Sequence, residues 1–316
     1  MLSHPTIIFS GSGNPALTKA ICNYLNLKPG QSTIERFPDG EKHIKLDSEV
    51  RGRDCFVVQP TCTPVDENLM ELLIYLDCLR RASADRVTAV VPYFGYARQD
   101  RKDAGRVPIT AKLIANVITA AGADRVLSVD LHAKQLQGFF DIPIDHLSAE
   151  PVIIEYLKQK KIEDVTVVSP DVGNIKTASR YATALGAELA IIHKRRLSGK
   201  EVLFEEIIGN VKDRNIVMVD DMISTAGTIC GAAHMVKKLG ARQIVAGATH
   251  GVFASPAVER LQQAPIDEIV VTDTIPVHEE SRQLKNLKVL SVAELLGEAI
   301  RRIHMNESVS SMFAQG

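Results

Sequence analysis

The stretch Asn215-Ile216-Val217-Met218-Val219-Asp220-Asp221-Met222-Ile223-Ser224-Thr225-Ala226-Gly227-Thr228-Ile229 decides how the rest of the chain is read. An apolar run, Ile216–Val219, has the length and composition of a strand buried on both faces. Two carboxylates follow it, then small and hydroxylated residues that open a helical pattern near Ala226. Backbone N–H groups at a helix start are unpaired and carry partial positive charge, so they bind phosphate without a basic side chain. Ala226 and Gly227 leave room for close approach, and Thr225 and Thr228 offer hydroxyl donors. Asp220 and Asp221 repel a phosphate and suit the hydroxyls of a sugar or a metal ion instead. Phosphate at one end and vicinal hydroxyls at the other describe a pentose phosphate. The plain alternative is an acid-rich helix cap.

The same rhythm continues outward from this stretch. Thr6–Phe9, Phe56–Gln59, Val87–Val91, Val126–Val129, Val165–Val168, Ile244–Ala248 and Ile269–Thr272 read as short strands, with helical patterns between most of them. Alternation of this kind predicts an α/β fold with central, mainly parallel sheets flanked by helices. Thr33–Arg36 and His43–Leu46 break the rhythm. They flank Pro38-Asp39-Gly40 and predict a hairpin. Phe56–Gln59, a helix from near Asn68 and Arg86–Tyr93 form a strand–helix–strand unit. Ile216–Asp220, Ala226–Leu239 and Gln243–His250 repeat it, so two similar domains are expected, 1–148 and 149–316.

Bulk composition excludes several classes of function. The 316 residues are 45% hydrophobic and 24% charged, with a net charge of −1. Near-neutral, interleaved charge argues against broad binding to nucleic acid or anionic lipid. Five cysteines without a CxxC pair read as reduced structural thiols. Met1–Lys19 lacks the pattern of a secretory signal, and no apolar run is long enough to span a membrane. A cytoplasmic protein is expected.

Ligands of open parallel sheets bind beyond the carboxyl ends of the strands. The residues there are Asp130 and His132, Ser169 to Asp171, Asp220 and Asp221, and the run Tyr93-Phe94-Gly95-Tyr96-Ala97-Arg98-Gln99-Asp100. Acid, imidazole and guanidinium groups thus collect at strand ends.

The Asp220–Thr228 run resembles the phosphoribosyl-binding motif of type I phosphoribosyltransferases. Phe37-Pro38-Asp39-Gly40-Glu41, Tyr96-Ala97-Arg98-Gln99-Asp100-Arg101, Asp130-Leu131-His132-Ala133, Ser169-Pro170-Asp171 and His193-Lys194-Arg195-Arg196 narrow the match. In order and spacing they resemble the ribose-phosphate pyrophosphokinases (phosphoribosyl pyrophosphate synthetases). The likeness runs from Gly11-Ser12-Gly13-Asn14 to Glu307-Ser308-Val309-Ser310.

The resemblance implies two type I phosphoribosyltransferase-like domains. It implies transfer of the diphosphoryl group of ATP to the 1-hydroxyl of ribose 5-phosphate, with Mg2+, giving 5-phosphoribosyl 1-diphosphate and AMP. By the same likeness, Phe37 stacks on adenine, Asp39 and Glu41 accept hydrogen bonds from the nucleotide, and Arg98 and Gln99 contact it and its phosphates. His132 and Asp171 match magnesium-associated positions, His132 through phosphate or metal-bound water, and Asp130 orients His132 or joins the metal site. Lys194 and Arg196 match a catalytic pair on a flexible loop. Asp220 and Asp221 hold the ribose hydroxyls, and Ser224, Thr225, Ala226, Gly227 and Thr228 hold the 5-phosphate. A homohexamer is implied, with the hairpin completing a neighbour's site.

Two positions depart from the family pattern. Ser224 stands where the phosphate loop usually opens with Asp. Glu49 stands where phosphate-activated members carry Ser two residues before the Arg equivalent to Arg51, although Ser308 and Ser310 match. A carboxylate there repels inorganic phosphate and argues against phosphate activation. Two competing readings are a catalytically silent regulatory relative and a base-transferring phosphoribosyltransferase. The retained Lys194, Arg196, His132 and Asp171 speak against the first, the Phe37 hairpin against the second.

Overall fold

The computed structural model describes residues 6–196 and 202–312, with backbone only for Val172, residues 194–196, residues 202–205 and Ser311. They fall into two compact units that divide between Ser148 and Ala149.

The first unit is built on β1 (Thr6–Ser10), β4 (Asp54–Val58), β5 (Arg86–Val91), β6 (Arg125–Val129) and β7 (Ile144–Leu147), paired parallel in that order. β4 is buried at every residue, as a central strand covered on both faces must be. Helix α1 (Pro15–Tyr24) starts where Asn14 accepts the Leu17 N–H at 3.2 Å and Pro15 supplies a preset first turn. Helix α2 (Val65–Arg81) has Asp66 and Glu67 in its first turn and Arg80 and Arg81 in its last, matching its dipole. Helix α3 (Thr110–Ala121) ends on Gly122 at φ +118°, a left-handed cap that glycine takes without strain. The hairpin forms as expected, β2 (Ser32–Arg36) against β3 (Lys42–Leu46), as a separate two-stranded sheet.

The second unit holds α4 (Glu150–Gln159), β8 (Val165–Ser169), α5 (Ile175–Leu185), β9 (Glu188–Arg196), β10 (Val202–Ile208), β11 (Asn215–Ile223), α6 (Gly227–Lys238), β12 (Ile244–Gly251), α7 (Ala257–Gln263), β13 (Glu268–Thr272) and β14 (Leu287–Leu290). Its sheet order is β10-β9-β8-β11-β12-β13-β14, with only β10 antiparallel to its neighbour. From β8 the chain winds outward to β9, then returns to β11 on the other side. That reversal is a topological switch point, where α/β sheets bind ligands beyond the strand ends.

Two boundaries differ from the sequence reading. β11 does not stop at Val219 but pairs with β12 as far as Met222↔His250 and Ile223↔Gly251, so Asp220 and Asp221 lie inside the strand. Among the described residues, Thr274–Pro276 and residues 291–312, expected in the second domain, group with the first unit. There α8 (Ala293–His304) packs on α1 so closely that a Cβ on Gly297 would sit 2.5 Å from the Tyr24 ring. His304 Nδ1 lies 2.8 Å from the Asp54 carboxylate, which also takes two bonds from Arg86, and Arg86 donates to the Ile303 carbonyl at 2.9 Å.

All five cysteines are free thiols, and burial pushes that of Cys55 up to about 12, which fits structural thiols rather than reactive ones. Among the described residues no helix is long and apolar enough to cross a membrane.

Candidate active site

In the second unit, residues 220–228, expected to bind a sugar phosphate, form one continuous feature. β11 ends at Ile223, Ser224–Ala226 turn, and α6 begins at Gly227 with no side-chain cap and no acid in its first turn. Its first N–H groups therefore stay available to an anion. Ala226 sits at φ +59°, a conformation that L residues adopt only under constraint. One constraint is Arg260 on α7, whose guanidinium donates to the Thr225 carbonyl at 3.0 Å. Thr225, Gly227 and Thr228 are exposed, whereas Ala226 is buried.

Asp220 and Asp221 are half-buried at the strand end, and each carboxylate accepts the amide N–H of the next residue at 2.9 Å. Burial, then the neighbouring Asp221, hold the Asp220 carboxyl well above the usual aspartate range, with a smaller push from Asp171. Asp171 ends the turn after β8, where its carboxylate accepts the Asn174 N–H at 3.1 Å. Three carboxylates thus gather around the switch point. Among the described residues no three His, Cys, Asp or Glu side chains converge as a ready-made metal cage. Mg2+ does not need one, because it binds through one or two carboxylates, waters and substrate phosphates. A cation there would relieve the repulsion that Asp220 feels, so the donor set fits. Lys194 and Arg196 are at the end of β9, opposite Phe204 and Val202 of β10, and their side chains lie outside the described residues, as does the Ser198-Gly199-Lys200 segment.

In the first unit, the hairpin tip is closed by Gly40 N–H to the Phe37 carbonyl at 2.8 Å and Phe37 N–H to the Glu41 carbonyl at 2.9 Å. Gly40 takes φ +93°, which explains glycine at that place. Asp39 accepts the Glu41 N–H at 3.1 Å, so it shapes the turn as well as facing solvent. Phe37 is 51% exposed, with the His43 ring beside it at 5.6 Å. A core role for Phe37 is thereby excluded, and an exposed aromatic face is what base stacking needs.

Arg98 and Gln99 are exposed on the loop after β5. That loop is pinned at Gly95, whose N–H donates to Thr61 Oγ1 at 2.6 Å and where a Cβ would lie 2.4 Å from the Thr61 carbonyl. It is pinned again at Tyr96, which sits at φ +64° and whose hydroxyl bonds Asp66 of α2. Thr110 Oγ1 donates to Gln99 Oε1 at 2.5 Å, and Gln135 Nε2 donates to Asp100 at 2.6 Å. Gln135 belongs to the turn after β6, so the structure joins the Arg98–Asp100 loop to the His132 loop. His132 itself is exposed, and Asp130, at φ +38°, accepts the Ser148 hydroxyl at 2.9 Å.

Four supporting residues carry no local sequence signal. Arg260 holds the phosphate loop from another helix, and His146 Nε2 accepts the Leu131 N–H at 2.8 Å beside His132. Lys42 and Glu71 join the hairpin to α2 at 2.7 Å. Each acts over a long sequence separation, and only the tertiary fold reveals such pairs.

A family model described as the N-terminal domain of ribose phosphate pyrophosphokinase matches residues 6–122, and one described as the phosphoribosyl synthetase-associated domain matches 196–314. The chain is 58% identical over 311 residues to the ribose-phosphate pyrophosphokinase of Rhodopirellula baltica, covering 98% of both chains. It is 50% identical over 306 residues to that of Campylobacter jejuni, covering 97% of this chain and 98% of the relative. Among solved structures, phosphoribosylpyrophosphate synthetase from Mycobacterium smegmatis superposes with a TM-score of 0.89 at 41% identity, over 95% of this chain and 99% of that one.

Proposed function

Because the chain belongs to the ribose-phosphate pyrophosphokinase family, we propose that its first unit holds ATP and its second ribose 5-phosphate. The chain is an enzyme that transfers the β,γ-diphosphoryl group of ATP to the 1-hydroxyl of ribose 5-phosphate. The products, 5-phosphoribosyl 1-diphosphate and AMP, feed nucleotide biosynthesis. The observation that carries the residue assignment is the uncapped start of α6 next to half-buried Asp220 and Asp221.

In this reading the N–H groups and hydroxyls of Ser224 to Thr228 hold the 5-phosphate, and Asp220 and Asp221 accept the ribose hydroxyls. Phe37 stacks on adenine, with Asp39 and Glu41 on the nucleoside and Arg98 and Gln99 on the phosphates. The 1-hydroxyl oxygen bonds to the β-phosphorus as the bond to the α,β-bridging oxygen breaks. AMP leaves, and the hydroxyl proton passes to solvent. Charge grows on the leaving α-phosphate, and Lys194 and Arg196, at the end of β9, stabilise it. Asp171 would hold Mg2+, with His132 on phosphate or metal-bound water and Asp130 in support. A bound Mg2+ would neutralise charge on the transferred diphosphoryl group. The exposed Phe37 hairpin suits a cytoplasmic homohexamer in which it completes a neighbour's site.

The test supplies ATP, Mg2+ and ribose 5-phosphate and follows AMP. Equimolar AMP and phosphoribosyl diphosphate are expected. Absence of AMP would point to a silent relative, and consumption of phosphoribosyl diphosphate with a free base would point to a base-transferring enzyme.

A further inference from the structure

Glu71, in the second turn of α2, is fully buried, and its carboxylate meets three donors. Ser12 donates through its N–H at 2.5 Å and its hydroxyl at 2.6 Å, and Lys42 through Nζ at 2.7 Å. Ser12 lies in the loop after β1, and Lys42 opens β3 where the chain leaves the hairpin tip. The Lys42 side chain is only 9% exposed, and it also donates to the Glu67 carbonyl at 3.1 Å. Its cross-strand partner Arg36 pairs with Glu67 and donates to the Gly40 carbonyl at 2.7 Å. Glu67 and Glu71 are four residues apart, on one face of α2. Both legs of the hairpin are therefore bonded to that face just below the tip.

Ile44 of β3 is buried in the core of the first unit and β3 packs on α2, so apolar packing already supports the hairpin without a buried charge. Desolvating an ammonium and a carboxylate offsets most of their attraction, so such a pair is weak support for stability and serves better to specify geometry. We infer that Glu71 and Lys42 are a positioning pair that sets the Phe37–Glu41 tip against α2 and thereby sets the affinity for the adenine nucleotide. The inference rests on the reading of that tip as part of the ATP site. Neither side chain touches the nucleotide; both act through the hairpin. The loop after β1 shares the same carboxylate through Ser12, so tip and loop are held as one piece.

The test compares Glu71→Gln and Lys42→Gln with wild type in steady-state kinetics, with melting temperature recorded alongside. KM for ATP is expected to rise about tenfold, the effect of losing a charge-assisted contact. kcat and KM for ribose 5-phosphate should stay within about twofold. Lys42→Arg, which keeps the charge, should restore the ATP affinity. An unchanged KM for ATP in a folded variant would overturn the inference, as would a parallel rise for both substrates. Should Glu71→Gln not fold, Lys42→Gln alters only the hairpin side and decides the matter. Wild-type turnover is measured first. If no AMP forms, the proposed function fails, and the positioning role is judged by calorimetric titration of each protein with ATP.

Discussion

The Arg260 guanidinium donates to the Thr225 carbonyl oxygen at 3.0 Å, from a helix outside the phosphate loop. In a trans peptide the C=O and N–H point in opposite directions. Holding the Thr225 oxygen toward Arg260 therefore turns the Ala226 N–H the other way, and Ala226 is held at φ +59°. A side chain at Gly227 would also come within 3.4 Å of the guanidinium. Arg260→Met should release that peptide and raise KM for ribose 5-phosphate about tenfold, the loss of one charged hydrogen bond. KM for ATP should not change. Initial rates with each substrate varied in turn check both statements.

Asp220 makes a prediction about stability. Burial and Asp221 raise its carboxyl above the usual aspartate range, so the fold binds that proton more tightly than the unfolded chain does. Stability is then fully present below the ordinary aspartate range and falls as pH climbs toward the raised value. Asp220→Asn removes the charge that the fold disfavours. The ligand-free variant should melt a few degrees (about 2–4 °C per kcal/mol) above wild type at pH 8, with the difference gone near pH 4. Use of ribose 5-phosphate should collapse at the same time. Thermal melts across pH, with turnover measured on the same samples, separate the two effects.

Lys194 and Arg196 stand at the end of β9, in register with the first residues of β10. If they stabilise charge on the leaving α-phosphate, they act on the transition state more than on bound ATP. Lys194→Ala should lower kcat by at least about 10²-fold while ATP binding is retained. Single-turnover AMP release and equilibrium titration with ATP read the two quantities. Equal losses in both would move Lys194 from the chemical step to binding.

Local rules made much of this legible before the structure. Alternating apolar runs gave the parallel strands, and Pro38-Asp39-Gly40 gave the hairpin. What depends on distant pairing was not legible. β11 runs on through Asp220 because β12 offers partners as far as Gly251, which a propensity reading of Val219-Asp220 has no means to foresee. Helix α8 advertises an apolar face but not what it covers, so its placement with α1 came from the fold. Within the site, the residues expected to touch ligand lie on loops, late in β9 and β11, and in the first turn of α6. Their supports, Arg260, His146, Lys42 and Glu71, sit on elements far away in sequence and leave no short-range signature.

Glu49 stands two residues before Arg51, where the family resemblance predicts Ser. Its carboxylate accepts the Arg51 N–H at 3.4 Å, while Arg51 donates to Ser83 Oγ at 3.3 Å. In the same unit Arg302 donates to the Ser308 carbonyl, and Ser310 N–H to the Ser308 hydroxyl. Arg51, Ser308 and Ser310 are the cation and hydroxyls that the family likeness assigns to an inorganic anion, and a fixed negative charge stands two residues from Arg51. Like charges about 4 Å apart in water repel by roughly 1 kcal/mol, and a doubly charged phosphate held by Arg51 would feel the Glu49 carboxylate in this way. The wild-type rate should therefore be flat as inorganic phosphate is raised at saturating substrates. Glu49→Ser removes the repulsion and restores a hydroxyl, so it should gain activation by phosphate without a change in the phosphate-free rate. A phosphate titration of both proteins at constant ionic strength is the check. Activation of the wild type would show that Arg51, Ser308 and Ser310 accept the anion despite Glu49.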